Sequence, residues 1–363
     1  MDKSNSSATR LLITSQRSRN LFNTWYEPQI AKPRSGLKAR ARIAEQFHAR
    51  YRPIINAAGP LLLLMAMVIV FALINPRFLS WVNLFNLMRQ SSILLIVSTG
   101  ITFVILMGAL DLSVGAIVTL VAVSSAVLIR DFDFGATGIA FVAAAIGAIC
   151  GLVNAVLVLR LRLPSFVATL GTMTILGGIS TWISGGVNVF FRSPDLTWFA
   201  SGSIIGRIPN SGVLALLIFA AASFIGARSH FGRSLFAIGA GGVAARLSGI
   251  DVLRTKAIAF VVCGMLCGTA GLLLVARTST GTARMGDDLL LQAIAAVVMG
   301  GTALSGGSGG VHRTLIGVLV IAVLQNGLNI AGVHTYIQIM VTGLIVILSV
   351  TVTLDRSRLA FIK

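Results

Sequence analysis

The sequence has few charged residues. Only 11% of its 363 residues are Asp, Glu, Lys or Arg, whereas 56% are hydrophobic. A soluble domain usually carries about a quarter charged residues, because its surface has to be solvated by water. This chain cannot supply such a surface. The scarcity of charge excludes a soluble globular protein and favours an integral membrane protein.

The sequence also lacks the residues that several kinds of chemistry require. No lysine follows a glycine, so the chain lacks the Gly-Lys pair of a phosphate-binding loop, and any ATP-driven function needs an ATPase on another chain. The cysteines lie in apolar runs, and no His, Asp or Glu accompanies Cys263 and Cys267, which predicts packing rather than a metal site. We assign no catalytic residue, no metal ligand and no bound cofactor. An integral membrane enzyme is therefore the least favoured class of function.

The net charge of +18 does not indicate a nucleic-acid-binding protein. The basic residues lie in the N-terminal tail and between apolar runs rather than on one soluble face, and they are not interleaved with aromatic residues. Their placement instead predicts the membrane orientation. With the N-terminus inside, 22 Lys and Arg fall on the cytoplasmic side and 7 on the other side, so both termini are predicted to be cytoplasmic.

The apolar residues are gathered into runs of the length that a membrane helix needs, about 20 residues. Their number predicts an all-α, polytopic membrane protein with about ten transmembrane helices. The runs are Ala57–Ile74, Ser91–Met107, Leu112–Ile129, Gly138–Leu159, Phe166–Ile183, Val213–Ala227, Ala257–Ala276, Leu289–Leu304, Thr314–Ile330 and Tyr336–Leu354.

The chain divides into a basic cytoplasmic tail at 1–56, a transmembrane domain at 57–355 and a cytoplasmic C-terminus at 356–363. Residues 228–256 form the longest internal cytoplasmic loop. In the tail, apolar residues from Leu37 to Tyr51 recur at roughly helical spacing among basic residues. This pattern is typical of an amphipathic helix on the membrane surface, and a solvated tail that follows the positive-inside rule explains it equally well.

Glycine interrupts two of the apolar regions, at 108–115 and at 300–310. Interrupted helices in transporters tend to line the substrate path, although a flexible hairpin accounts equally well for the second segment. Asp111 lies in the first. A carboxylate within a membrane suggests a functional role, but we favour a cap of the third helix made together with Ser113 at the membrane edge. Pairs such as Gly147 with Gly151 predict close helix packing.

Specific motifs carry a family resemblance. Gly232–Gly239 followed by Ala244–Ile250 resembles the cytoplasmic loop of the ribose-type ABC importer permeases. Further stretches between Ala57 and Asp355 are similar to the same family. They are Met107–Gly115, Pro164–Thr172, Ala293–Gly307 and Gln325–Asn329.

The resemblance implies a permease subunit of the bacterial inner membrane that imports a ribose-like monosaccharide. It implies three protein partners: an ABC ATPase subunit that binds the ATP, a periplasmic sugar-binding protein and a second permease subunit, identical or different. Membrane lipid surrounds the assembly. The remaining alternative is an ion-coupled secondary transporter of a small polar solute, which usually needs several intramembrane charges, whereas Asp111 is nearly alone.

By resemblance, the loop 228–256 docks on the ATPase, and the coupling residues are Arg246, Leu247, Ser248, Gly249 and Ile250. The translocation path is assigned to Asp111, Ser113, Phe166, Thr169, Gln292 and Asn326. The chain departs from the family pattern at Gly241-Gly242, where Asn-Glu is usual, and at Leu291-Gln292, where an acidic residue is common. The first departure puts in doubt an acidic contact to the ATPase. The second puts in doubt the usual ligand recognition at the eighth predicted span, Leu289–Leu304.

Overall fold

A computed structural model describes residues 59–353. The predicted tail at 1–56, including its amphipathic segment, and the C-terminus at 356–363 lie outside the described residues. The described chain is mostly helical, with one short antiparallel ribbon. In chain order its elements are α1 (Gly59–Ile74), a 3-10 turn (Pro76–Leu79), α2 (Trp81–Leu106), α3 (Val114–Phe132), α4 (Ala136–Leu159), α5 (Ser165–Ser184), β1 (Val189–Phe190), α6 (Pro194–Ser201), α7 (Asn210–Arg228), α8 (His230–Ala240), α9 (Gly242–Leu247), α10 (Val252–Thr278), β2 (Thr280–Gly281), α11 (Asp287–Met299), α12 (Val311–Ile330) and α13 (Thr335–Thr353).

Seven of these helices are long and apolar enough to cross a membrane: α2, α3, α4, α5, α7, α10 and α12. The structure therefore confirms a mostly helical, multi-pass membrane protein. Gly59–Ile74 and Thr335–Ile345 are shorter apolar helices, and α11 has 13 residues. The count of about ten transmembrane helices consequently stays a prediction.

Helices α2, α3, α10 and α12 are mostly buried, whereas α4, α5 and α7 expose most of their surface. The exposed surface is apolar. Phe141 on α4, Trp182 on α5 and Phe224 on α7 are 74%, 82% and 69% exposed. Lipid chains are as apolar as these side chains, so such a surface suits a bilayer and not water.

The closest helix pairing joins α4 to α10. A Cβ atom added at Gly147 would overlap the carbonyl oxygen of Gly264, and one added at Gly151 would overlap that of Phe260. Only hydrogen fits at these positions, so the two backbones approach as small residues allow in membrane helices. The prediction of close packing is confirmed. Cys263 and Cys267 lie buried on the same helix as free thiols, which is consistent with packing residues.

The helix bundle has two distinct ends, a strand end and a loop end. At the strand end, β1 pairs with β2 through Val189 opposite Gly281 and Phe190 opposite Thr280, which ties the segment after α5 to the segment after α10. At the loop end, α8 and α9 connect α7 to α10. The side chain of Asp251 starts α10 there by accepting the N–H of Arg254 at 3.0 Å.

Several helices start or end at other residues than the predicted apolar runs, and two of these differences have a clear physical reason. Helix α2 starts at Trp81 and not at Ser91, because its polar first turns interrupt the apolar run but remain helical. Ser80 caps that start by accepting the N–H of Asn83 at 3.3 Å. Helix α11 ends at Met299 and not at Leu304, since the chain leaves the helix at Gly301, whose φ is +86°.

Candidate functional site

Asp111 lies in the break between α2 and α3 and is completely buried. Its Oδ1 atom accepts the backbone N–H of Ser113 at 2.9 Å and the hydroxyl of Ser113 at 2.6 Å. The amide Nδ2 of Asn154, on α4, lies 3.3 and 3.4 Å from the two carboxylate oxygens and donates to the Ser113 hydroxyl at 2.7 Å. Of the ion pairs among the described residues, none includes Asp111. We call these three residues the Asp111 cluster.

The expected helix cap was wrong in its geometry. Ser113 directly precedes α3 but makes no capping hydrogen bond with its own side chain. Asp111 bonds the N–H two residues ahead, which closes an Asx turn rather than satisfying the first turn of the helix. The carboxylate is also buried inside the bundle and not at an exposed edge. Its contacts fix the shape of the break between the two helices.

Helix α5 satisfies the irregular backbone of the same break. The hydroxyl of Ser165 accepts the N–H of Leu110 at 3.1 Å, and the hydroxyl of Thr169 accepts the N–H of Leu112 at 3.0 Å. Non-helical backbone inside a membrane protein needs such partners, because lipid offers none. The Asp111 segment is therefore held by α4 on one side and by α5 on the other.

Sequence reasoning found this region but not all of its residues. It missed Asn154 and Ser165. Asn154 carried a usable signal, since it is an amide inside a long apolar run. Phe166 is 53% exposed, so the structure does not bring it into the cluster. The predicted path residues that do come together are Asp111, Ser113 and Thr169.

The other two predicted path residues lie towards the strand end. Asn326, on α12, is buried and exchanges two hydrogen bonds with Asn83 on α2, at 2.8 and 2.9 Å. Its amide therefore joins two central helices. Gln292, on α11, is half-buried and lines a cavity of about 190 Å³. The six predicted residues thus do not form one site.

The two glycine-interrupted segments contact each other. The N–H of Gly307 donates to the carbonyl of Leu106 at 2.9 Å, and Gly108 packs against the carbonyl of Ser305. Helix α8 reaches the same place, because a Cβ atom on Gly239 would overlap both the Leu106 oxygen and the Gly307 nitrogen. We call the contact between Leu106, Gly239 and Gly307 the glycine junction. It joins the loop 228–256 to both interrupted segments, a link that the sequence did not reveal.

The predicted coupling residues lie at the turn between α9 and α10. Arg246 through Gly249 are exposed and Ile250 is half-buried. Leu247 is 85% exposed and Val243, on α9, is 79% exposed. Within the described part of the chain, the Arg246 guanidinium has no hydrogen bond or ion pair. Exposed apolar side chains beside an unpaired guanidinium suit a contact with another protein.

The family model of the permease component of branched-chain amino acid transport systems matches residues 83–350. The ribose import permease protein of Escherichia coli strain K12 is 36% identical over 296 residues, which is 80% of this chain and 92% of that protein. The chain belongs to the ribose-type ABC permease family.

Other relatives show the same breadth of match. The ribose import permease protein of Bacillus subtilis strain 168 is 36% identical over 330 residues, 89% of this chain and 100% of the relative. The D-allose transport system permease protein of Escherichia coli strain K12 is 34% identical over 305 residues, 82% of this chain and 91% of the relative. No solved structure matches the chain significantly. The family resemblance found in the sequence motifs is confirmed.

Proposed function

We propose that this chain is the transmembrane permease subunit of an ABC importer that carries a ribose-like monosaccharide across the bacterial inner membrane. Its relatives include permease proteins of ribose import and of D-allose transport. Identity near a third over almost their whole length supports the same role for this chain. The sequence offers no phosphate-binding loop, so a separate ATPase subunit supplies the energy.

The observation that carries the proposal is the glycine junction. An importer driven by an external ATPase needs a surface that contacts the ATPase and a rigid connection from that surface to the helices. The loop 228–256 has both features. Leu247 and Arg246 are exposed for contact. Gly239 packs against Gly307 and against Leu106, the last residue of α2 before the break that holds Asp111.

The remaining parts of the assembly follow from this orientation. The loop end faces the cytoplasm together with both termini, as the distribution of basic residues predicts. The strand end then faces the periplasm and receives the sugar from a binding protein. An even number of spans, such as the ten predicted here, returns the chain to the side on which it started, so both termini lie on the same side. A second permease subunit, identical or homologous, completes the membrane part.

An ion-coupled secondary transporter is the less favoured candidate. Such a transporter usually uses several charged groups within the membrane to carry the ion. Asp111 is fully buried and is bonded by Ser113 and Asn154, so it is engaged in holding the break in shape. The relatives are permease subunits and not ion-coupled carriers.

The test removes the charge of Arg246. The Arg246→Ala variant is expressed with the ATPase subunit, and ATPase co-purification and sugar-stimulated ATP hydrolysis are measured at matched protein levels. Both should fall, because a guanidinium binds carboxylates and backbone carbonyls of a partner with several donors at once.

Arg254→Ala is the matched control. Arg254 is exposed in the same cytoplasmic segment but lies outside the turn 246–250. An effect confined to Arg246→Ala supports docking through this turn. Unchanged co-purification and unchanged stimulation in Arg246→Ala would mean that Arg246 only anchors the loop at the lipid headgroups. An equal fall in both variants would extend the docking surface to Arg254.

A further inference from the structure

An apolar patch lies at the strand end, on α6 and on the loop that joins α6 to α7. Trp198 and Phe199 belong to α6, and Ile204 and Ile205 follow in the loop. All four side chains are exposed, those of Ile204 and Ile205 by 73% and 57%. Arg207 is exposed in the same loop, and within the described residues its guanidinium makes no hydrogen bond or ion pair. We call these five residues the 198–207 patch.

The loop that carries the patch has one defined shape. The side chain of Asn210, which is buried at the start of α7, accepts the N–H of Ile204 at 2.7 Å and donates to the carbonyl of Trp198 at 3.2 Å. The hydroxyl of Ser203 donates to the carbonyl of Gly206 at 2.8 Å. These bonds hold the exposed side chains in place before a partner arrives, which lowers the entropy cost of binding.

Helix α6 covers the end of a central helix. The N–H of Phe191 donates at 3.3 Å to the carbonyl of Ser279, the residue that follows α10, and the hydroxyls of Thr197 and Ser279 lie 3.5 Å apart. Arg89, on α2, donates at 3.3 Å to the carbonyl of Ser201, the last residue of α6. Because α10 is mostly buried among other helices, the segment that covers its end faces the aqueous side of the bundle.

This position decides what kind of partner the patch fits. Residues 202–209 are not helical, and lipid chains offer no hydrogen-bond partner to irregular backbone, so the loop lies outside the hydrocarbon region. A second permease subunit in the same membrane lies beside the bundle and contacts the sides of its helices. Exposed apolar side chains gathered on a surface that faces water mark a site for a soluble protein.

The residue types in the patch suit a protein interface with acidic groups on the partner. Trp and Arg are among the residues that most often dominate the binding energy of protein interfaces. Here Trp198 and Arg207 flank the exposed Ile204 and Ile205. The unpaired guanidinium of Arg207 can bind a carboxylate through two donors at once. Asp195, exposed in the first turn of α6, offers an acceptor to a basic group of the same partner.

We infer that the 198–207 patch is the surface on which the soluble sugar-binding protein docks, with the two isoleucines in an apolar hollow of that protein and Arg207 on one of its carboxylates. This assignment rests on the proposed function, which places the strand end in the periplasm. Arg89 ties α6 to α2, and α2 ends at Leu106 in the glycine junction. Docking therefore acts on the helix that also contacts the ATPase-coupling loop.

The test measures how tightly fluorescently labelled sugar-binding protein, loaded with D-ribose or D-allose, binds the assembled permease–ATPase complex in nanodiscs. Ile204→Ser removes an apolar contact and Arg207→Gln removes the charge. Each should raise the Kd about tenfold or more, as loss of a residue that dominates an interface does. ATPase co-purification and basal ATP hydrolysis should not change, because the patch lies at the opposite end of the bundle from the loop 228–256.

Leu217→Ser is the matched control. It removes a similarly exposed aliphatic side chain from α7, away from the patch. Its Kd should stay within about twofold of the wild type, as for most exposed positions outside an interface. A loss of affinity as large as in Ile204→Ser would mean that the effect is not specific to the patch and would overturn the assignment.

Ile205→Cys with an attached environment-sensitive dye shows directly what covers the patch. The native cysteines are buried, so the introduced thiol is the accessible one. Adding the sugar-binding protein should shift the dye emission to the blue, and spin-labelled lipids should not quench it. Quenching by those lipids without a response to the binding protein would show a lipid anchor. Disulfide cross-linking between two unlabelled Ile205→Cys chains would show a second copy on the patch, and either result overturns the assignment.

Failure of the docking surface and failure of the proposed function give different results. An unchanged Kd for both Ile204→Ser and Arg207→Gln, in complexes that assemble normally, would overturn the docking surface and leave the importer function standing. A wild-type complex that binds the sugar-binding protein in neither its loaded nor its empty form would count against the proposed function instead.

Discussion

The glycine junction makes a quantitative prediction for Gly239→Ala. The added methyl group would overlap both partners of the hydrogen bond from Gly307 to Leu106, which is 2.9 Å long. Helix α8 must therefore move away, or that bond must open. Losing the bond costs about 0.5–1.5 kcal/mol, and overpacking typically costs about 1–3 kcal/mol. Together these give a penalty on the order of 2–4 kcal/mol on the packed junction.

A penalty of that size should uncouple ATP hydrolysis from movement of the helices, without releasing the ATPase. At about 1.4 kcal/mol for each tenfold change, the ratio of packed to opened junction falls by roughly 30-fold or more. We expect sugar-stimulated ATP hydrolysis and uptake to fall at least tenfold while the ATPase still co-purifies, because the exposed turn 246–250 is unchanged. Thermal unfolding of the purified complex should also begin at a lower temperature.

Gly242→Ala is the matched control in the same loop. Nothing lies within 4 Å of a Cβ atom at Gly242, and alanine favours a helix over glycine by about 1 kcal/mol. This variant should therefore couple normally and be at least as stable as the wild type. If Gly239→Ala behaves like Gly242→Ala in both assays, the junction is not tight and does not transmit motion.

Two further predictions concern buried polar groups. Asn83→Leu and Asn326→Leu should each destabilise the protein by about 1–3 kcal/mol, because each leaves the other amide unpaired; the double variant should cost less than their sum, and strict additivity in denaturant unfolding would contradict a direct pair. Asp111→Asn should keep most of the uptake, because its carbonyl still accepts the Ser113 N–H and Asn154 can turn its Oδ1 atom, which has no partner, towards the new amide. Asp111→Leu should lose uptake and yield, and loss of uptake by a well-folded Asp111→Asn would show that the charge itself is needed.

The sequence predicted those features that depend on local composition. Apolar runs located the membrane helices, and the glycine clusters located both interrupted segments. The sequence did not predict the start of α2, because polar residues such as Asn83 and Asn86 interrupt the apolar run. Those residues are nevertheless helical. Whether an amide faces lipid, a partner or a cavity is decided by packing.

Contacts between distant parts of the chain were beyond sequence reasoning for the same reason. Asn83 and Asn326 are 243 positions apart, and only the fold makes them neighbours. Gln292 and Asn326 were assigned to one path. Asn326 bonds Asn83 on another helix, whereas the Gln292 side chain makes no hydrogen bond to any residue between 59 and 353. Arg277, near the end of α10, is half-buried and lines the same cavity as Gln292, a neighbourhood that the sequence did not reveal. The motifs pointed to these regions, and only the three-dimensional contacts show which of their residues join one helix to another.

We propose above all that this chain is the membrane subunit of an ATP-driven monosaccharide importer. The most direct test reconstitutes it in liposomes with its binding protein, with and without the ATPase subunit, and measures accumulation of tritiated D-ribose and D-allose. We expect accumulation of at least one of these sugars only when the ATPase and ATP are both present. Accumulation without the ATPase, driven by a proton or sodium gradient, would contradict it.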